Sequence, residues 1–103
     1  MDELSEDQLL RLAAQKNVEA FAELARRYQG RIYNVILGLT KNQLDADDLA
    51  QETFMQAFKS INKFKQDSSF YTWLYRIAVN RTLNYFKKFK RGEKIEQGND
   101  KEA

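Results

Sequence analysis

The chain contains no proline and only four glycines in 103 residues. A fold built from short strands needs many tight turns, and those turns draw on glycine and proline. An all-β architecture therefore lacks its corners, and helices become the default. The length suits one domain with a modest core. Cysteine is absent, so disulfides and thiolate metal sites are excluded. Histidine is absent too, which removes the commonest general base and metal ligand. Nucleophile machinery of the Ser-His-Asp or Cys-His kind is impossible.

Four helices are predicted. The first begins at Ser5, a good N-cap with Gln8 in capping-box position, and ends near Lys16–Asn17. Its apolar residues are Leu9, Leu10, Leu12 and Ala13. Asn17 caps the second, which runs to about Thr40 with a stripe of Phe21, Ala25, Tyr28, Ile32, Ile36 and Leu39. Gly30 and Gly38 interrupt it, and close helix packing is the reason expected for them. After a turn at 41–44, Asp45 caps the third, whose stripe is Leu49, Ala50, Thr53, Phe54, Ala57, Phe58, Ile61 and Phe64. A polar loop, 65–69, leads to a fourth helix capped by Ser68 or Ser69, running from about Phe70 to Lys90, with Gly92 as its stop. The expected fold class is all-α, a compact bundle of four helices over residues 1–92. Residues 93–103 read as a disordered tail or the start of a linker.

The net charge of +2 conceals a segregation. Residues 1–60 carry a net charge of −3, residues 61–92 carry +7, and residues 93–103 carry −2. The basic stretch also holds 8 of the 13 aromatic residues. Cations interleaved with aromatics are the footprint of a nucleic-acid surface; an amphipathic helix with aromatic core and solvated lysines gives the same composition. At about 100° per residue, Trp73, Arg76, Asn80, Asn84, Lys87 and Arg91 fall in one arc of roughly 80° on the fourth helix. Tyr71, Leu74, Tyr75, Ala78, Val79, Tyr85, Phe86 and Phe89 fall on the other side. Exposing an indole forgoes about 1.5–3 kcal/mol of burial, so a tryptophan among cations suggests a stacking partner. Cover by the third helix or the 65–69 loop is the alternative.

The cluster Asp45-Ala-Asp47-Asp48 with Glu52 has oxygen ligands for a divalent cation, but acids at a helix start are expected from capping and the macrodipole. The segment from Phe64 to Asn80 is more informative. Unstacked bases need flat apolar surfaces, amides and hydroxyls for their edges, and cations for their phosphates. This segment supplies all three.

Three blocks carry a family resemblance: Glu19-Ala-Phe-Ala-Glu-Leu with Tyr28, then Asp45-Ala-Asp-Asp-Leu-Ala-Gln-Glu-Thr-Phe with Ala57-Phe58, then Phe64 through Asn80. Over roughly residues 5–91 the chain resembles region 2 of the extracytoplasmic-function (ECF) class of bacterial sigma factors, the promoter-reading subunits of RNA polymerase. The resemblance implies that Asp48, Gln51, Glu52 and Met55 meet the β′ clamp helices of core polymerase. It implies that Phe64, Lys65, Gln66, Asp67, Ser68, Ser69, Phe70, Tyr71 and Asn80 take the non-template strand of the minus-ten element, with one base flipped into a pocket. Arg76, Asn84, Lys87 and Arg91 would lie beside that strand or the duplex, and Trp73, from its place among them on the arc, is counted with the DNA-binding residues. A complete ECF factor adds a region 4 domain reading the minus-thirty-five element, to which nothing here corresponds. The family usually has Gly-Asp where Asn17-Val18 stands.

On this reading the domain is not an enzyme and needs no cofactor or metal, since polymerase does the chemistry. An anti-sigma protein is an expected partner. The acidic start and the lack of a membrane-length apolar run lead us to expect a cytoplasmic protein without membrane insertion. Three alternatives stand beside it: a sequence-neutral single-stranded nucleic-acid binder, a helical protein-interaction module and, more distantly, a small carboxylate-metal enzyme.

Overall fold

Helix boundaries follow from local capping chemistry. In the computed structural model, which describes residues 4–90, α1 spans Glu6–Ala14, α2 Val18–Thr40, α3 Gln43–Ser60 and α4 Phe70–Lys90, with one 3-10 turn at Ile61–Lys63. Ser5 and Gln8 form the full capping box: the Gln8 N–H donates to Ser5 Oγ (3.1 Å) and the Ser5 N–H to Gln8 Oε1 (2.8 Å). Asn17 Oδ1 accepts from the Ala20 N–H at 2.9 Å and starts α2. Ser69 Oγ accepts from the Thr72 N–H at 3.1 Å and starts α4.

The third cap differs from expectation. Asn42, in extended backbone, accepts the Asp45 N–H at 2.9 Å, so α3 begins at Gln43 and Asp45 lies inside its first turn. The Asp45 carboxylate is engaged elsewhere: it accepts the Tyr85 hydroxyl at 2.5 Å, across to α4. The stripe expected to continue to Phe64 breaks at Ser60, where the chain tightens into the 3-10 turn. Gly92, the expected stop of α4, lies outside the described residues.

Helix α2 packs against α1 and α3, while α4 packs on α3 and α2. Leu9, Leu24, Ile32, Ile36 and Leu74 are fully buried at the centre. Each contributes about 1.5–3 kcal/mol of burial. On α4 the residues facing inward are Phe70, Leu74, Ala78 and Thr82, one every fourth position. Thr82 tolerates burial because its hydroxyl donates to the Ala78 carbonyl at 2.8 Å. Leu39 is 43% exposed and so leaves the α2 stripe; Tyr75 and Phe89 likewise lie at the surface of α4. Gly30 and Gly38 have open space above them, with nothing within 4 Å of an added Cβ, so close packing is not their reason.

The corner between α1 and α2 is tied to the end of α3. Lys16, in left-handed backbone (φ 68°), donates from Nζ to the carbonyls of Phe58 (2.6 Å) and Lys59 (3.3 Å). Its ammonium also lies 4.7 Å from the Phe58 ring centroid. A cation at these carbonyls satisfies acceptors the helix leaves open. Among the described residues no helix is long and apolar enough to cross a membrane.

Candidate nucleic-acid interface

The start of α4 is organised by aromatic rings. Phe64, just after the 3-10 turn, packs on Trp73 with centroids 5.1 Å apart. Phe70 touches both, at 6.0 and 5.9 Å, and reaches Tyr28 of α2 at 5.6 Å. Tyr28 stacks on Tyr71 (5.8 Å, 26° between planes), and Tyr71 meets Tyr75 at 6.0 Å. One seam of rings thus runs from Trp73 across the helix terminus to Tyr75.

Phe70 is the buried hub of that seam, only 1% exposed. It was expected among the strand-contacting residues; its i, i+4 spacing to Leu74 places it in the core stripe instead, where it supports Phe64, Tyr28 and Trp73. Phe64, Trp73, Tyr71 and Ser68 are half-buried, and Lys65, Gln66, Asp67 and Ser69 are exposed. Trp73 is therefore partly covered, by Phe64 and Phe70, and keeps part of its surface open. Arg76, Asn80, Asn84 and Lys87 are exposed along the same arc of α4. Arg91 lies outside the described residues.

At the expected pocket, residues 64–71, Phe64, Phe70 and Trp73 pack against one another. A wide, mostly apolar cleft of about 660 Å³ opens between α2 and α3, lined by Ala25, Gln29, Gly30, Tyr33, Asp47, Ala50, Gln51, Phe54 and Met55. Asp48, Gln51, Glu52 and Met55 are all exposed on α3, Met55 by 61%. Glu52 lies 3.8 Å from the Arg81 guanidinium of α4, whose buried Nε finds no hydrogen-bond partner among the described residues. The acidic residues at the start of α3 are not gathered into a metal-holding group among the described residues.

Two tyrosines are held neutral to high pH. Burial, then the hydrogen bond to Glu6, pushes the Tyr28 phenol up to about 12. The hydrogen bond to Asp45, then burial, does the same for Tyr85. Both are structural ties, from α2 to α1 and from α4 to α3.

One neighbour of the seam was not anticipated. Arg31 of α2 holds its guanidinium carbon 3.9 Å from the Tyr71 ring centroid and 5.8 Å from that of Tyr28. The i, i+3 spacing to Tyr28 was visible in the sequence; the contact with Tyr71, forty residues on, was not.

The model of the family described as Sigma-70 region 2 matches residues 24–92. The chain belongs to the sigma-70 region 2 family. Among curated proteins it is 38% identical over 80 residues to the RNA polymerase sigma-H factor of Pseudomonas aeruginosa, covering 78% of this chain and 42% of that one. It is 38% identical over 84 residues to the ECF RNA polymerase sigma-E factor of Haemophilus influenzae (82% and 44%). To that of Escherichia coli it is 41% identical over 86 residues (82% and 44%). The chain spans less than half the length of these curated relatives. Among solved structures it is similar to an engineered region 2 of sigmaE determined by NMR in complex with GTAAAA. The TM-score is 0.78 at 30% identity, over 88% of this chain and 96% of that one. The all-α region 2 fold is thus shared.

Proposed function

We propose that this domain binds core RNA polymerase and reads and melts the promoter minus-ten element by capturing an unstacked base of the non-template strand. The observation that carries the reading is the single face of α4 on which a partly open Trp73, backed by Phe64, stands in line with exposed Arg76, Asn80, Asn84 and Lys87. A structural relative carrying a bound oligonucleotide supports it.

Flipping a base costs a few kcal/mol. Stacking returns about 1–3 kcal/mol per base, and edge hydrogen bonds add more for the correct base only. Asn80 offers a donor and an acceptor together. Arg76 and Lys87 hold phosphates without reading sequence. With Phe64, Phe70 and Trp73 in contact with one another, the base stacks on the outer surface of the seam or parts Phe64 from Trp73 as it enters.

Polymerase is held on the other side of α3. The apolar α2/α3 cleft is bordered by Gln51 and Met55, and it suits the side of a partner helix, such as the β′ clamp helices. An anti-sigma protein would compete for one of these faces, and the working compartment is the cytoplasm.

Competition between matched and scrambled single-stranded minus-ten oligonucleotides tests the reading. Preference for the matched strand, with capture of core polymerase in a pull-down, is the expected result. Equal binding of both strands would leave a sequence-neutral binder.

A further inference from the structure

We propose that Arg31 is a further strand-contacting residue, its guanidinium serving as a stacking plate for a nucleobase on the face turned away from Tyr71. The inference rests on the single-strand reading above and extends its surface from α4 to α2.

The three arginines of α2 have different surroundings. Arg26 and Arg27 both pair with Glu23, and Arg27 also donates to the Leu4 carbonyl at 2.9 Å. Arg31 has neither kind of partner: among the described residues no carboxylate lies within ion-pair distance, and no hydrogen bond occupies its N–H donors. What positions it is the ring of Tyr71, itself stacked on Tyr28. Tyr28 is in turn anchored through its hydroxyl to Glu6. Arg31, Tyr71 and Tyr28 thus meet as one cluster, with the guanidinium carbon at van der Waals distance from the Tyr71 ring.

Arg31 is exposed, so its guanidinium meets the Tyr71 ring on one side and remains open to solvent. Guanidinium planes stack nucleobases as aromatic rings do, and their N–H edge suits a phosphate. Contact with Tyr71 lowers the rotamer freedom left for the arginine to lose on binding. Lysine matches the charge but has no plane, which separates stacking from phosphate attraction.

Fluorescence anisotropy of the full chain is measured with two labelled probes: a single DNA strand of random sequence and an abasic strand of equal length. Arg31→Lys is expected to bind the abasic strand as the unsubstituted chain does and to lose about fivefold or more on the base-bearing strand. In a Tyr71→Leu background the same substitution should lose much less, because the plate has lost its support. Arg31→Gln, with unchanged helicity by circular dichroism, checks that loss of binding is not loss of fold. If Arg31→Lys matches the unsubstituted chain on both probes, or loses equally on both, the stacking role is overturned. Lys87→Ala separates the two levels. If it weakens both probes while Arg31→Lys changes neither, the strand reading survives and this inference falls. If the unsubstituted chain favours neither strand over the other, both fall.

Discussion

Asn80 and Lys87 lie on one exposed arc but belong to different chemistries. Asn80→Ala removes an edge reader, so it should narrow the gap between matched and scrambled strands by about 1–3 kcal/mol while leaving the weaker strand nearly unchanged. Lys87→Ala removes a phosphate contact and should weaken all strands alike, visible in the same competition assay. Tyr85 concerns stability instead. Its folded-state pKa of about 12 lies above the ordinary 10.0, so the folded state favours the neutral phenol. The stabilisation is complete below pH 10 and is lost as pH rises towards 12. Tyr85→Phe should therefore cost about 1 kcal/mol at neutral pH, by chemical denaturation, and should flatten that alkaline decline. Phe70 shows how a residue can be misread: it sits beside the loop in sequence, yet its spacing to Leu74, Ala78 and Thr82 already assigned it to the core stripe.

At the level of helices, Gly30 joins fold and docking. Its added Cβ meets nothing within 4 Å, and α2 there is regular helix, so Gly30→Ala should raise stability by about 0.5–1 kcal/mol in thermal melts. The same methyl intrudes on the α2/α3 cleft, so core-polymerase capture should weaken although the protein is more stable. The four helices were legible in the sequence because caps and apolar periodicity are local: Ser5, Asn17 and Ser69 act within three residues of themselves. Asn42 was not legible as a cap. Asp45 is as good a candidate by composition, and what withdraws its carboxylate is Tyr85, forty residues away. The exposed arc of α4 was legible for the same reason as the helices. The Arg31–Tyr71 contact was not, since it depends on how α2 meets α4.

Over the whole molecule the charge is segregated, with an acidic first part and a basic stretch from residue 61 to 92. If about three phosphates are neutralised, single-strand affinity should fall with a log–log salt slope of about −2. A slope near zero would remove the basic face from the interface. The acidic and basic regions touch at Glu52 and Arg81, and again at Asp45 and Tyr85, so the helix assigned to polymerase is tied to the helix assigned to DNA. Glu52→Ala should weaken polymerase capture and spare strand affinity; an equal fall in both would mean that the contact transmits between them. A subtler lever lies in the Lys16 ammonium, which clasps the last carbonyls of α3 just before the chain turns towards Phe64. Acetylating that amine, or Lys16→Gln, would remove both hydrogen bonds and unfasten the corner between α1 and α2 from the end of α3.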